Sequence, residues 1–153
     1  MNLLLDTSVL LRLTIASDEI SESFMQVVES GLEHGSVAVS TMTFVETTRL
    51  HHHGRIDLGC HPGVWRRDRL RSGLREIPIG GEIAVESVLL MNTGFHNDPA
   101  DQLIVATAML AGLRLATTDR KIIDWAHRTR LVPLLDPRVV PAAEGPRQQT
   151  NKG

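Results

Sequence analysis

The sequence predicts an α/β protein, a parallel sheet covered by helices on both faces. Three observations carry this expectation. Short apolar runs of strand length alternate with longer segments of helical periodicity. The strand runs are apolar throughout rather than alternating, the pattern of strands buried on both faces. The chain has 153 residues, 42% hydrophobic and 22% charged, which suits one domain able to bury a core without disulfide or metal staples.

Leu3-Leu4-Leu5 reads as the first buried strand. Ser17-Asp18-Glu19 has N-cap chemistry and acids for a first turn, and Ile20, Phe24, Val27, Val28 and Leu32 then recur on one helical face. Gly31 and Gly35 mark that helix's end, and Val37-Ala38-Val39 is a second strand. Ser40 or Thr41 can cap a helix running to about Leu50, followed by a loop over 51–63 with three glycines and a proline. Val64 to Arg71 reads as a short basic helix. Glu76 to Ile79 is an extended segment whose Pro78 argues for an edge or an end. A helix follows from Glu82 to Met91. Asp98-Pro99 starts the next one, with Asp as N-cap and Pro at the first position. Residues 99–111 are apolar nearly all round and predict a deeply buried helix that Gly112 stops. Leu113 to Ala116 is a strand, Arg120 to His127 a helix, Leu131 to Leu135 a last strand. Residues 138–153 read as a disordered tail behind a domain of residues 1–137.

Composition excludes several classes. With one cysteine, Cys60, there is no disulfide framework, and a reducing, cytoplasmic setting is expected. No apolar run is long enough to span a membrane, and the opening meets Asp6 without a basic stretch, unlike a signal peptide. A net charge of −2 excludes binding nucleic acid by bulk charge alone. The charge is nevertheless uneven. Residues 1–33 hold six acids against Arg12, and residues 49–75 hold seven arginines against Asp57 and Asp68.

In open α/β sheets ligands bind beyond the carboxyl ends of the strands. Asp6 follows the first strand, Asp119 follows the strand ending at Ala116, Glu46 lies on the helix after the second strand, and Asp101 lies in the first turn begun by Asp98-Pro99. Four carboxylates can thus meet at one sheet edge. Their repulsion calls for a cation, and Mg²⁺ prefers carboxylate oxygen, water and phosphate. That chemistry suits phosphodiester hydrolysis. Each acid also has a plainer reading. Asp98 is most simply an N-cap, Asp101 a first-turn acid, and Glu46 a solvated residue or a capping-box partner of Thr43. Asp6 and Asp119 can each cap a helix after them.

Four strings occur in order: Leu-Leu-Asp-Thr-Ser-Val-Leu-Leu (4–11), Thr-Phe-Val-Glu (43–46), Asn-Asp-Pro-Ala-Asp-Gln-Leu-Ile-Val-Ala-Thr-Ala (97–108) and Leu-Ala-Thr-Thr-Asp-Arg-Lys-Ile (115–122). Over about residues 2–135 the chain resembles the PIN-domain family, in particular the VapC-type toxins of bacterial toxin–antitoxin pairs. The resemblance implies a three-layer α/β/α fold and a Mg²⁺- or Mn²⁺-dependent endoribonuclease acting on RNA. It implies Asp6, Glu46, Asp101 and Asp119 as catalytic metal ligands, supported by Ser8, Thr117 and Asp98. It also implies a homodimer silenced by a VapB-type antitoxin. The alternative within the family is an RNA- or protein-binding module that does not cut. A haloacid-dehalogenase-type phosphotransferase would need a second Asp at position 8, where Ser8 stands. A receiver domain would need an acidic pair and a late-strand lysine, which are missing.

Outside those strings, His51, His52, His53, Cys60 and His61 fit no standard zinc spacing and suit a helix end. Arg66, Arg67, Arg69, Arg71 and Arg75 suit RNA phosphates, a solvated face, or pairing with the acids of 18–33. Trp65 and Trp125 suit packing better than base stacking.

Overall fold

In the computed structural model, residues 2–139 are described, so the expected tail lies almost wholly outside the described residues. Five parallel strands form one sheet: β1 (Leu3–Leu5), β2 (Val37–Ser40), β3 (Arg75–Ile77), β4 (Arg114–Ala116) and β5 (Leu134–Leu135), in the order β3-β2-β1-β4-β5. The apolar run Leu3-Leu4-Leu5 is thus the central strand, and it is buried on both faces. Its side chains divide the core. Leu3 and Leu5 join Val37 and Val39 on one face, and Leu4 joins Ala38 and Leu115 on the other.

Seven α-helices cover the sheet among the described residues: α1 (Thr7–Thr14), α2 (Glu22–Glu33), α3 (Thr41–His52), α4 (Pro62–Arg71), α5 (Gly81–Leu89), α6 (Pro99–Ala111) and α7 (Arg120–Thr129). Val9, Leu10, Phe24, Val28 and Trp65 of α1, α2 and α4 pack on the Leu3 face. Ile104, Val105, Ile122 and Trp125 of α6 and α7 pack on the Leu4 face. Helix α3 sits between, with Phe44 in the first cluster and Met42 against the second. The result is the three-layer α/β/α arrangement. Helix α6 is capped by Asp98, whose side chain accepts the Asp101 N–H, and it ends at Gly112 with φ 67°.

Some expectations need correction. Helix α1 was not assigned an element of its own. Its apolar string continues the strand's composition, and only the Asp6 cap signals the change. Helix α2 starts later than Ser17-Asp18-Glu19 suggests. Ser21 is the N-cap, its hydroxyl accepting the Phe24 N–H, while Ser17 accepts the Glu19 N–H in a turn before it. His51 and His52 finish α3 instead of opening a loop, and His61 caps α4, so that helix begins at Pro62. The segment after α5 tightens into a 3-10 turn over Leu90–Thr93. Strand β3 is an edge, as Pro78 requires.

Both tryptophans are core residues, Trp65 5% and Trp125 2% exposed. Trp65 meets Phe44 edge-on at 6.1 Å. Among the described ion pairs, none joins an arginine of 66–75 to an acid of 18–33. Arg66 pairs with Glu76 instead, and Arg12 with Glu19. No described helix is long and apolar enough to cross a membrane.

Candidate active site

The chain winds from β1 outward through β2 to β3, then restarts on the other side with β4 and β5. The crevice between β1 and β4 is therefore the topological switch point, where such sheets bind ligands. Asp6 leaves the end of β1 and Asp119 caps α7 just beyond β4. Helices α3 and α6 also start at this edge and bring Glu46 and Asp101.

Asp6 is buried, and both its oxygens are held. Oδ1 accepts the Thr7 N–H at 2.8 Å, and Oδ2 accepts the Thr117 hydroxyl at 2.8 Å. Thr117 in turn accepts the Asp119 N–H at 3.1 Å, which ties the two acids through one hydroxyl. The Thr7 hydroxyl donates to Glu46 Oε1 at 2.6 Å. With its proton used there, Thr7 receives the Thr43 hydroxyl at 3.0 Å. Asp119 Oδ1 takes the Lys121 and Ile122 N–H groups at 2.9 and 3.3 Å. Asp101 Oδ2 meets His96 Nε2 at 2.7 Å. Glu46, Asp101 and Asp119 therefore each keep one carboxylate oxygen without a protein donor among the described residues.

The four acids act on one another. Burial pushes Asp6 up to about 6; the Thr117 bond opposes this, and the charges of Asp101 and Asp119 add to it. Burial likewise raises Glu46, against its Thr7 bond and with repulsion from Asp6, Asp101 and Asp98. Asp101 is raised chiefly by burial, against the His96 bond and with repulsion from Asp98 and Asp119. No Lys or Arg is paired with any of the four among the described ion pairs.

The carboxylates lie near enough for charge to act between them: Asp6 feels Asp101 and Asp119, and Glu46 feels Asp6 and Asp101. Thr117 lies among them as expected. Asp98 is an exposed cap that orders the α6 start, and it lines the same cleft as Asp101, its charge adding to those on Glu46 and Asp101. Ser8 is exposed, and its neighbour Thr7 holds Glu46 instead. Sequence reasoning missed Thr7 and His96. The signal for His96 was its place two residues before the Asp98 cap, where the chain crosses the helix end and meets a side chain of the first turn. The capping-box partnership of Glu46 with Thr43 is not formed, because Ser40 is the α3 cap.

Asp101 and Asp119 line a cleft together with His96, Asn97, Asp98, Arg120 and Lys121, and Asp6 and Glu46 are not part of that lining. Among the described residues no three His, Cys, Asp or Glu side chains stand close enough to form a ready-made metal cage. The donor chemistry still fits a hard cation. Mg²⁺ keeps several waters and takes one or two carboxylates together with a substrate phosphate, so free carboxylate oxygens around an open cleft suffice.

Comparison with known proteins bears on the family and the fold. The PIN domain family matches residues 3–127. The ribonuclease VapC22 of Mycobacterium tuberculosis is 32% identical over 124 residues, 81% of this chain and 92% of that protein. A toxin–antitoxin complex from Klebsiella pneumoniae aligns with TM-score 0.59 and 22% identity, covering 91% of this chain and all (100%) of that one. FitAcB from Neisseria gonorrhoeae aligns with TM-score 0.61 and 21% identity, covering 90% of this chain and 99% of that one. At such identities the two structures speak for the fold.

Proposed function

This chain belongs to the PIN-domain family, and from that premise we propose that it is an endoribonuclease dependent on Mg²⁺, with Mn²⁺ as a substitute. It is the toxin of a toxin–antitoxin pair, works in the cytoplasm as a homodimer, and is silenced by a VapB-type antitoxin. Residues 1–137 form the catalytic domain. The carrying observation is the meeting of Asp6, Glu46, Asp101 and Asp119 at the switch point without a basic partner among the described ion pairs. The names of the relatives, a ribonuclease and toxin–antitoxin complexes, support the reading.

The four carboxylates would hold the cation, one or two of them directly and the others through its waters. When bound, such a cation eases deprotonation of the attacking water and neutralises the leaving oxygen. The chain's own groups prepare that site. The Thr7 amide and the Thr117 hydroxyl fix the Asp6 carboxylate in one orientation, and the Thr7 hydroxyl fixes Glu46. Arg120 and Lys121 stand on the rim of the cleft, where an RNA phosphate approaching Asp119 would meet their charge.

Purified protein, freed of contaminating ribonuclease, should cut RNA with Mg²⁺ or Mn²⁺ and stop in chelator. Asp101→Asn and Asp119→Asn should each be inactive though folded. Cutting that persists in chelator or in both variants would overturn the reading.

A further inference from the structure

The geometry points to His96 as a positioning residue that aims Asp101 into the site, an inference that rests on the metal reading above. His96 lies in none of the four sequence strings, yet it makes the one side-chain bond that Asp101 receives among the described residues. The acceptor is a carboxylate, so Nε2 carries the proton and donates to Oδ2 at 2.7 Å. That leaves Oδ1 without a protein donor among the described residues, the oxygen that would be available to a cation. A histidine that fixes a ligating carboxylate in this way limits its rotation before the ligand arrives.

The ring is itself held. It stacks on Phe95, with centroids 4.4 Å apart and planes 23° apart. Phe95 is 4% exposed and meets Trp125 edge-on at 4.9 Å. Trp125 is anchored by its indole N–H, which donates to the Thr93 hydroxyl at 3.0 Å. The Gln102 amide donates to the His96 main-chain carbonyl at 3.0 Å, closing the segment onto α6. Trp125 lies on α7, the helix that Asp119 caps. The stack His96–Phe95–Trp125 therefore joins the helix of Asp101 to the helix of Asp119 behind the site and sets one acid relative to the other. Stacked rings pass on position well because a packed aromatic has few alternative rotamers.

The role separates into a donor and a ring, and variants can remove each. His96→Phe keeps a ring on Phe95 and loses the donor, whereas His96→Gln keeps a donor of similar reach and loses the ring. The measurement is a Mn²⁺ titration of the full chain without RNA, read by the electron paramagnetic resonance of free Mn²⁺. Melting in chelator establishes that each variant is folded. His96→Phe should bind Mn²⁺ about 10–100-fold more weakly than the wild type, the usual loss for an outer partner of a ligand. His96→Gln should recover most of that affinity. With RNA, His96→Phe should lower kcat and leave KM unchanged. If His96→Phe does not fold, His96→Ala removes the same donor and carries the same expectation. Wild-type affinity in the donor-less variant overturns the assignment, and so does a His96→Gln protein as weak as it. A wild type that binds Mn²⁺ no better than Asp101→Asn overturns the metal reading as well, which separates the two failures.

Discussion

Asp6 carries a cost that is visible in the cation-free protein. Its carboxyl is pushed from 3.8 to about 6, so between those values the folded chain holds a proton that the unfolded chain has released. Stability in chelator should therefore fall as pH rises from about 4 to about 6 and then level, by ~3 kcal/mol for a shift of about two pKa units. Denaturant melts across that range check the sign. Asp6→Asn should flatten the slope and be more stable than wild type at pH 7 in chelator. The same variant should lose RNA cleavage by more than about 100-fold, since even an outer partner of a ligand is worth about 10–100-fold. A variant both more stable and inactive is the signature of a charge kept for function. Conversely, Mg²⁺ at neutral pH should add about 2.7 kcal/mol of stability to the wild type at a hundred times its dissociation constant, and raise its melting temperature accordingly. That gain should vanish in Asp101→Asn and in Asp119→Asn.

Among the elements, the join between α4 and β3 passes close against the end of α2. Gly73 has φ 106°, and a Cβ there would lie 2.3 Å from the Leu32 carbonyl oxygen near the end of α2. Gly59 has φ 74° but nothing within 4 Å of its Cβ position. Gly73→Ala should therefore cost well over the ~1–2 kcal/mol of a left-handed alanine, while Gly59→Ala should cost about that alone. Thermal melts of both compare strain with clash. Strands β1, β2 and β4 were legible in the sequence because burial between two layers leaves an apolar string, and α6 because Asp98-Pro99 and Gly112 punctuate it, whereas the edge strand β3, Arg75-Glu76-Ile77, carries no such string. Helix α1 was not legible, since Thr7 to Thr14 differs from a strand only in length and in the cap before it. Topology put Asp6, Asp101 and Asp119 at strand ends or a helix start, whereas Glu46, in the second turn of α3, was singled out by the resemblance of the four strings. Thr7 and His96 were not, because their roles depend on where another element's side chain lands. The hydroxyl at position 8, which family pattern favoured, is exposed on the outside of the first turn.

At the scale of the whole molecule, α5 leaves Val85, Val88 and Leu89 exposed at 63%, 54% and 47%. A second copy is the partner expected for that apolar side. Light scattering should give a dimer at micromolar concentration, and Val88→Asp should shift it toward monomer while RNA-free Mn²⁺ binding is retained. A wild-type monomer would contradict the expectation.

The central strand has a consequence for how the protein is made. β1 is synthesised before the other four strands, but one of its two neighbours is β4, so Leu3 must wait for Arg114 before the sheet is whole. The acids follow the same schedule, from Asp6 to Asp119. A nascent chain still short of α7 has no assembled cutting site. With the function proposed above, the chain cannot cut RNA until nearly the whole domain has been threaded out of the ribosome.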